Sequence, residues 1–183
     1  MKQKVFACFL RLVVLISLLS ISPTLRAQLA AYDWPVFLLS QNLNSPNDVA
    51  HFLWKNFIFE TDQHQFGQEE HWQTAEEFLI NRKGDCEDFA LLASELLRMK
   101  GIPSFLLNIY GDGTGHTVCV FKQNGKYRAF NGSQMTSEAA HLKQLITEIN
   151  PFWKKAFIVA PLAATKHSII LQQIERDEKP HSF

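Results

Sequence analysis

The run Gly84-Asp85-Cys86-Glu87-Asp88-Phe89-Ala90-Leu91-Leu92-Ala93-Ser94-Glu95-Leu96-Leu97-Arg98-Met99-Lys100-Gly101-Ile102-Pro103 reads as one helix with a clean end. Phe89, Leu92, Leu96 and Met99 form one apolar stripe, and Cys86, Ala90, Ala93 and Leu97 form its neighbour. Gly101 supplies a C-terminal cap, and Pro103 prevents continuation. The predicted helix covers residues 85–100, with Cys86 in its first turn.

The flanking sequence supplies its partners. Val49, Phe52, Leu53, Trp54 and Phe57 predict a helix over residues 47–59, and the polar run 60–70 reads as a loop. Thr74-Ala75-Glu76-Glu77 is a capping box ahead of Phe78 and Leu79, so a short helix starts near Thr74 and stops by Lys83-Gly84. Downstream, residues 104–110, 116–122 and 126–131 read as strands. Residues 111–115 form a loop with Asp112 as a turn residue, and Asn124-Gly125 marks a hairpin. A helix over 137–149, a strand over 156–160, a last helix over 168–174 and a frayed end at 175–183 complete the expectation. A helix buried against a meandering antiparallel sheet is an α+β architecture. With no repeat or linker, residues 28–174 form one domain.

Composition narrows the function. The 183 residues carry 18 basic and 18 acidic side chains, and 46% are apolar. A zero net charge offers no basic excess for phosphate, which excludes a nucleic-acid binder. All of the first 27 residues' charge is basic: Lys2, Lys4, Arg11 and Arg26. The apolar stretch from Leu12 to Ile21 follows, then Ser22-Pro23-Thr24, with Ala27 ahead of a cleavage point. That is the anatomy of a secretory signal peptide, with an uncleaved anchor as the alternative. The chain from Gln28 then carries 14 basic against 18 acidic residues, contains no membrane span, and is expected in the periplasm or outside the cell. Its two cysteines, Cys86 and Cys119, meet an oxidising compartment.

Cys86, His116 and Asn131 carry the chemistry. A helix N-terminus favours an anion, so a thiol there ionises below its ordinary range. A nearby imidazole takes the thiol proton and returns it to a leaving group, and a third polar residue holds the ring's tautomer. A turn centred on Asn124-Gly125 pairs the strands so that His116 faces position 133, with Asn131 two positions away. Strand alternation puts His116, Val118 and Val120 on one face and Cys119 on the other. On that reading Cys119 is a core residue, neither disulfide partner of Cys86 nor zinc ligand.

The order helix–strand–strand with Cys, His and Asn resembles the transglutaminase-like superfamily, most closely its bacterial exported cysteine proteinases. The resemblance rests on Trp72-Gln73-Thr74-Ala75-Glu76-Glu77-Phe78-Leu79, on Gly84-Asp85-Cys86-Glu87-Asp88-Phe89-Ala90, on Leu97-Arg98 and Gly101-Ile102-Pro103, and on Gly115-His116 opening a strand. It spans residues 47–134. It implies a papain-like core and a triad of Cys86, His116 and the residue at Asn131, where the family carries Asp. An amide oxygen still orients an imidazole but brings no negative charge. The resemblance further implies an oxyanion or cleft role for Trp72, and calcium at Asp85 and Glu87. The triad chemistry itself requires no cofactor. The implied activity is hydrolysis of peptide or glutamine amide bonds in a protein or peptide substrate. A silent binding domain on the same fold, or an amine-accepting acyltransferase, are the rival readings.

Overall fold

The computed structural model describes residues 41–111, 113, 115–162 and 167–176. The signal segment expected over 1–27, Asp112 and the end from 177 lie outside the described residues. Among the described residues, no helix is long and apolar enough to cross a membrane.

The chain runs α1 (Pro46–Asn56), β1 (Ile58–Phe59), α2 (Asp62–Phe66), α3 (Ala75–Asn81), β2 (Lys83–Gly84), α4 (Cys86–Met99), β3 (Ser104–Tyr110), β4 (Gly115–Gln123), β5 (Lys126–Asn131), β6 (Gln134–Met135), α5 (Leu142–Ile149), β7 (Lys155–Leu162) and β8 (His167–Glu175). Six strands form one antiparallel sheet in the order β6-β5-β4-β3-β7-β8. The short strands β1 and β2 pair in parallel as a separate two-stranded sheet. The fold is α+β with α4 packed on the sheet.

The sheet separates two cores. On one face, Leu106, Cys119, Phe121, Phe130 and Val159 pack with Phe89, Ala90, Leu92, Ala93, Leu96 and Leu97 of α4, and α1 and α3 add Phe52, Leu53 and Phe78. Both predicted stripes of α4 are therefore buried except at their ends, Cys86 and Met99, which are half-buried, and Ala90 and Ala93 let the helix approach the strands closely. On the other face, Val118, Val120, Leu107 and Ile109 pack with Leu145 and Ile146 of α5 and with Trp153. Full burial of such side chains contributes roughly 1.5–3 kcal/mol each.

The β4–β5 hairpin has the expected register, with Cys119 opposite Phe130 and Gln123 opposite Lys126. Asn124 and Gly125 both take positive φ, 53° and 78°, the turn that matches strand twist. Thr74 and Glu77 make the reciprocal capping bonds. Elsewhere the expectation needs correction. The helix over 137–149 starts only at Leu142, because Ala139 exchanges two backbone hydrogen bonds with Tyr127. Residues 168–174 are not helical. They lie in strand β8, where the free edge of β7 supplies hydrogen bonds that outweigh local propensity. The loop 60–70 contains the short helix α2, closed by Gly67 at φ 68°. Glu175 ends β8 and Arg176 bonds the carbonyls of Lys154, Pro151 and Trp153, so the fraying predicted from 175 does not hold there.

Candidate active site at the start of the buried helix

Gly84 explains why a glycine precedes the cysteine segment. A Cβ there would lie 2.2 Å from Asp88 Oδ2 and 2.7 Å from Gln73 Nε2. The space is taken by a network that anchors the first turn of α4. Gln73 donates its backbone N–H to Asp88 Oδ1 at 2.8 Å and its side-chain amide to Asp88 Oδ2 at 2.6 Å. Gln73 Nε2 also reaches the carbonyl of Lys83, and Asn81 donates to Gln73 Oε1. Asp88 thus fastens the helix start to the segment leading into α3. From residue order alone Asp88 is an acid in the first turn of a helix, where it complements the helix dipole. Gln73 carried no signal beyond its place beside Trp72.

Cys86 sits at the N-terminus of α4, partly buried. Its thiol donates to Glu87 Oε2 at 3.1 Å, and Sγ accepts the backbone N–H of Thr117 at 3.4 Å. Thr117 follows His116 in β4, so the structure brings the thiol against the strand end that carries the histidine. His116 Nε2 lies 2.7 Å from Asn131 Oδ1. That oxygen can only accept, so Nε2 carries the proton and Nδ1 is the basic ring nitrogen. The pairing joins β4 to β5 diagonally, two positions off the direct register, as the hairpin geometry predicts.

The thiol is not set up as a thiolate in this state. Burial pushes the Cys86 pKa up, the nearby Asp85 adds to that, and the bonds from Thr117 and Glu87 oppose it. Burial, with Asp85 beside it, drives the Glu87 carboxyl far above the ordinary range. The expected lowering by the helix N-terminus is therefore outweighed by desolvation and by acidic neighbours.

Those neighbours form an acidic cluster. Asp62, Asp85 and Asp88 present carboxylate oxygens within 4.8 Å of one another, and Asp85, Cys86 and Glu87 form a second such group. Asp62 comes from α2 and is 1% exposed. It accepts the backbone N–H of His71, yet its Oδ1 has no hydrogen-bond partner, and neither have Asp85 Oδ1 and Glu87 Oε1. Burial first, then Asp85, raises the Asp62 pKa to about 6, and burial raises that of Asp88 to about 7. Buried carboxylate oxygens without partners are costly unless a cation meets them. Hard oxygens in this number suit calcium. Nothing in the polar stretch around Asp62 marked it in the sequence, because its role depends on α2 folding back over the start of α4.

Two expectations change in detail. Trp72 is buried in the core facing α4, and its indole N–H donates to Glu70 Oε1 at 2.9 Å rather than into an oxyanion position. Cys119 is a free, buried cysteine, and Cys86 is free as well. The alternation argument placed Cys119 away from the helix, but Cys119 and Phe121 are the residues that face α4, while Val118 and Val120 face α5. No bridge forms because Cys119 meets Ser94 and Ser104, and Ser94 lies about 12 Å along the helix axis from Cys86.

A family model described as a transglutaminase-like domain matches residues 38–145, which include Cys86, His116 and Asn131. The chain belongs to the transglutaminase-like domain family. Among solved structures, calcium-bound LapG of Legionella pneumophila aligns with a TM-score of 0.50 at 19% identity, covering 72% of this chain and 82% of that one. A second LapG structure aligns with the same TM-score and identity, covering 75% of this chain and 83% of that one. At such identity the likeness establishes the transglutaminase-like fold. A comparison with curated proteins found no match.

Proposed function

We propose that this protein is an exported transglutaminase-like cysteine hydrolase that cleaves peptide or glutamine amide bonds. What supports the reading is a pair of contacts on neighbouring residues of β4. The Cys86 thiol at the N-terminus of α4 touches the Thr117 N–H, and the adjacent His116 is held by Asn131. In the reaction, Cys86 attacks the amide carbonyl after losing its proton to His116 Nδ1. His116 returns the proton to the departing amine, and Asn131 keeps the ring's tautomer through Nε2. The backbone N–H of Cys86 serves the oxyanion. Trp72 acts as a wall of the cleft. Water then resolves the acyl-enzyme. Residues 1–27 act as the export signal and 28–174 as the folded domain, in the periplasm or outside the cell, with a protein or peptide as substrate.

The same reading includes calcium. Asp62, Asp85, Glu87 and Asp88 are the residues that would hold the ion, and the three oxygens without partners support the fit. A bound cation supplies positive charge that offsets the carboxylates beside the thiol. Asp85 then ceases to oppose ionisation of Cys86, and the helix N-terminus favours the thiolate.

The test is the alkylation rate of Cys86 from roughly pH 5 to 9, with calcium and with chelator, in the natural sequence and in His116→Ala. A thiol that reacts well below its ordinary range with calcium, and loses that reactivity in His116→Ala, supports the enzyme. A thiol that titrates as a free cysteine under all conditions transfers the reading to a silent binding domain.

A further inference from the structure

Asn131 is followed by Gly132, and the pair sits where the site's imidazole can act on it. Asn131 is exposed and ends strand β5, with Gly132 in the turn to Gln134 of β6. Gly132 takes φ 60°, and nothing lies within 4 Å of where a Cβ would stand. An asparagine before glycine is open to attack by its own neighbour, because no side chain hinders the glycine nitrogen. The attack is intramolecular, so its entropy cost is already met by the chain. Charge develops on Oδ1 as that attack proceeds, and His116 Nε2 is already 2.7 Å from that oxygen with its proton directed at it.

We propose that Asn131 is a self-modifying site, converted with the help of His116 to an aspartyl residue at position 131. The Gly132 nitrogen bonds to Asn131 Cγ, the bond from Cγ to the side-chain nitrogen breaks, and ammonia leaves with the proton of the Gly132 N–H. Water opens the resulting succinimide to a carboxylate. Redox chemistry is not involved, and water is the only co-reactant. The product places a negative charge beside Nε2 in place of a neutral amide. That charge favours the imidazolium and, on the triad reading proposed above, extends the pH range of a thiolate–imidazolium pair. The chain as translated is then a slow form that matures by itself.

The molecule contains its own control. Asn124-Gly125, also exposed, is a second Asn-Gly pair, in the β4–β5 turn. The full chain is held at neutral pH, and peptides covering both sites are followed by mass and by separation of aspartyl from isoaspartyl forms. Asn131 is expected to lose its amide several-fold faster than Asn124, with aspartyl product. His116→Ala and His116→Gln are expected to slow loss at Asn131 while leaving Asn124 unchanged, and the Asn124 rate reports an intact hairpin. Equal rates at the two sites, no response to either substitution, or isoaspartyl product alone would overturn the proposal. These readouts do not involve Cys86, so their failure is distinct from failure of the hydrolase reading. Alkylation of Cys86 in Asn131→Asp then measures the consequence, with reactivity expected to extend to lower pH than in freshly made protein.

Discussion

The two halves of the candidate site are built on opposite terms. The nucleophile half, at the start of α4, is buried, crowded and acidic. Asp62 and Asp88 are each 1% exposed and Glu87 is 4% exposed. The base half, at the ends of β4 and β5, is open: His116 is half-buried and Asn131 is exposed. A thiol needs an environment that can be switched toward an anion, and only a desolvated cluster makes nearby charge strong enough to matter. An imidazole acting as a base needs little beyond orientation. On the proposed function, that difference puts control of the chemistry in the acidic half.

The largest expected effect tests whether the halves work together. His116→Ala should reduce turnover of an amide substrate by roughly 10²–10⁴-fold, the usual contribution of a positioned general base. An unchanged rate would separate the two halves and remove the catalytic reading. Next comes packing. Gly84→Ala forces a methyl into Asp88 and Gln73 and should cost about 1–3 kcal/mol in denaturant unfolding. Stability within error of the unsubstituted protein would mean that the acidic half is not tightly packed.

The pH dependence of stability sharpens the contrast further. Folding raises Asp62 from 3.8 to about 6 and Asp88 from 3.8 to about 7. The folded state therefore binds more protons than the unfolded chain in that window, and stability falls as pH rises through it. Chelator-treated protein should show a melting temperature that declines from about pH 4 to 7, and calcium should remove most of the decline. A flat profile without calcium would contradict the buried acidic cluster. The smallest effect belongs to the open half. Gly132→Ala meets no atom and bears only the left-handed φ, about 1–2 kcal/mol at most. A loss larger than that of Gly84→Ala would erase the distinction between the halves.

Much of this was legible in advance where the signal is local. The stripes of Phe89, Leu92, Leu96 and Ala90, Ala93, Leu97 announced a helix buried on two sides. Asn124-Gly125 set the register that brings His116 to Asn131. The misread regions are those where a partner decides the outcome. Strand β8 exists because β7 offers it an edge, and α5 starts late because Ala139 is claimed by Tyr127. The side of the sheet that Cys119 faces was also inferred wrongly, since alternation gives relative faces and not which one meets the helix.

Periodicity, caps and turn residues act through neighbouring atoms in the chain, so the identity of the helix, the hairpin and the cysteine at the helix start could be read from residue order. Burial could not. Asp62 gathers with Asp85 and Asp88 only when α2 folds over the start of α4, and Gln73 reaches Asp88 only when the segment leading into α3 packs there. The raised carboxyl and thiol pKa values follow from that desolvation, a property of assembled space and not of spacing along the chain.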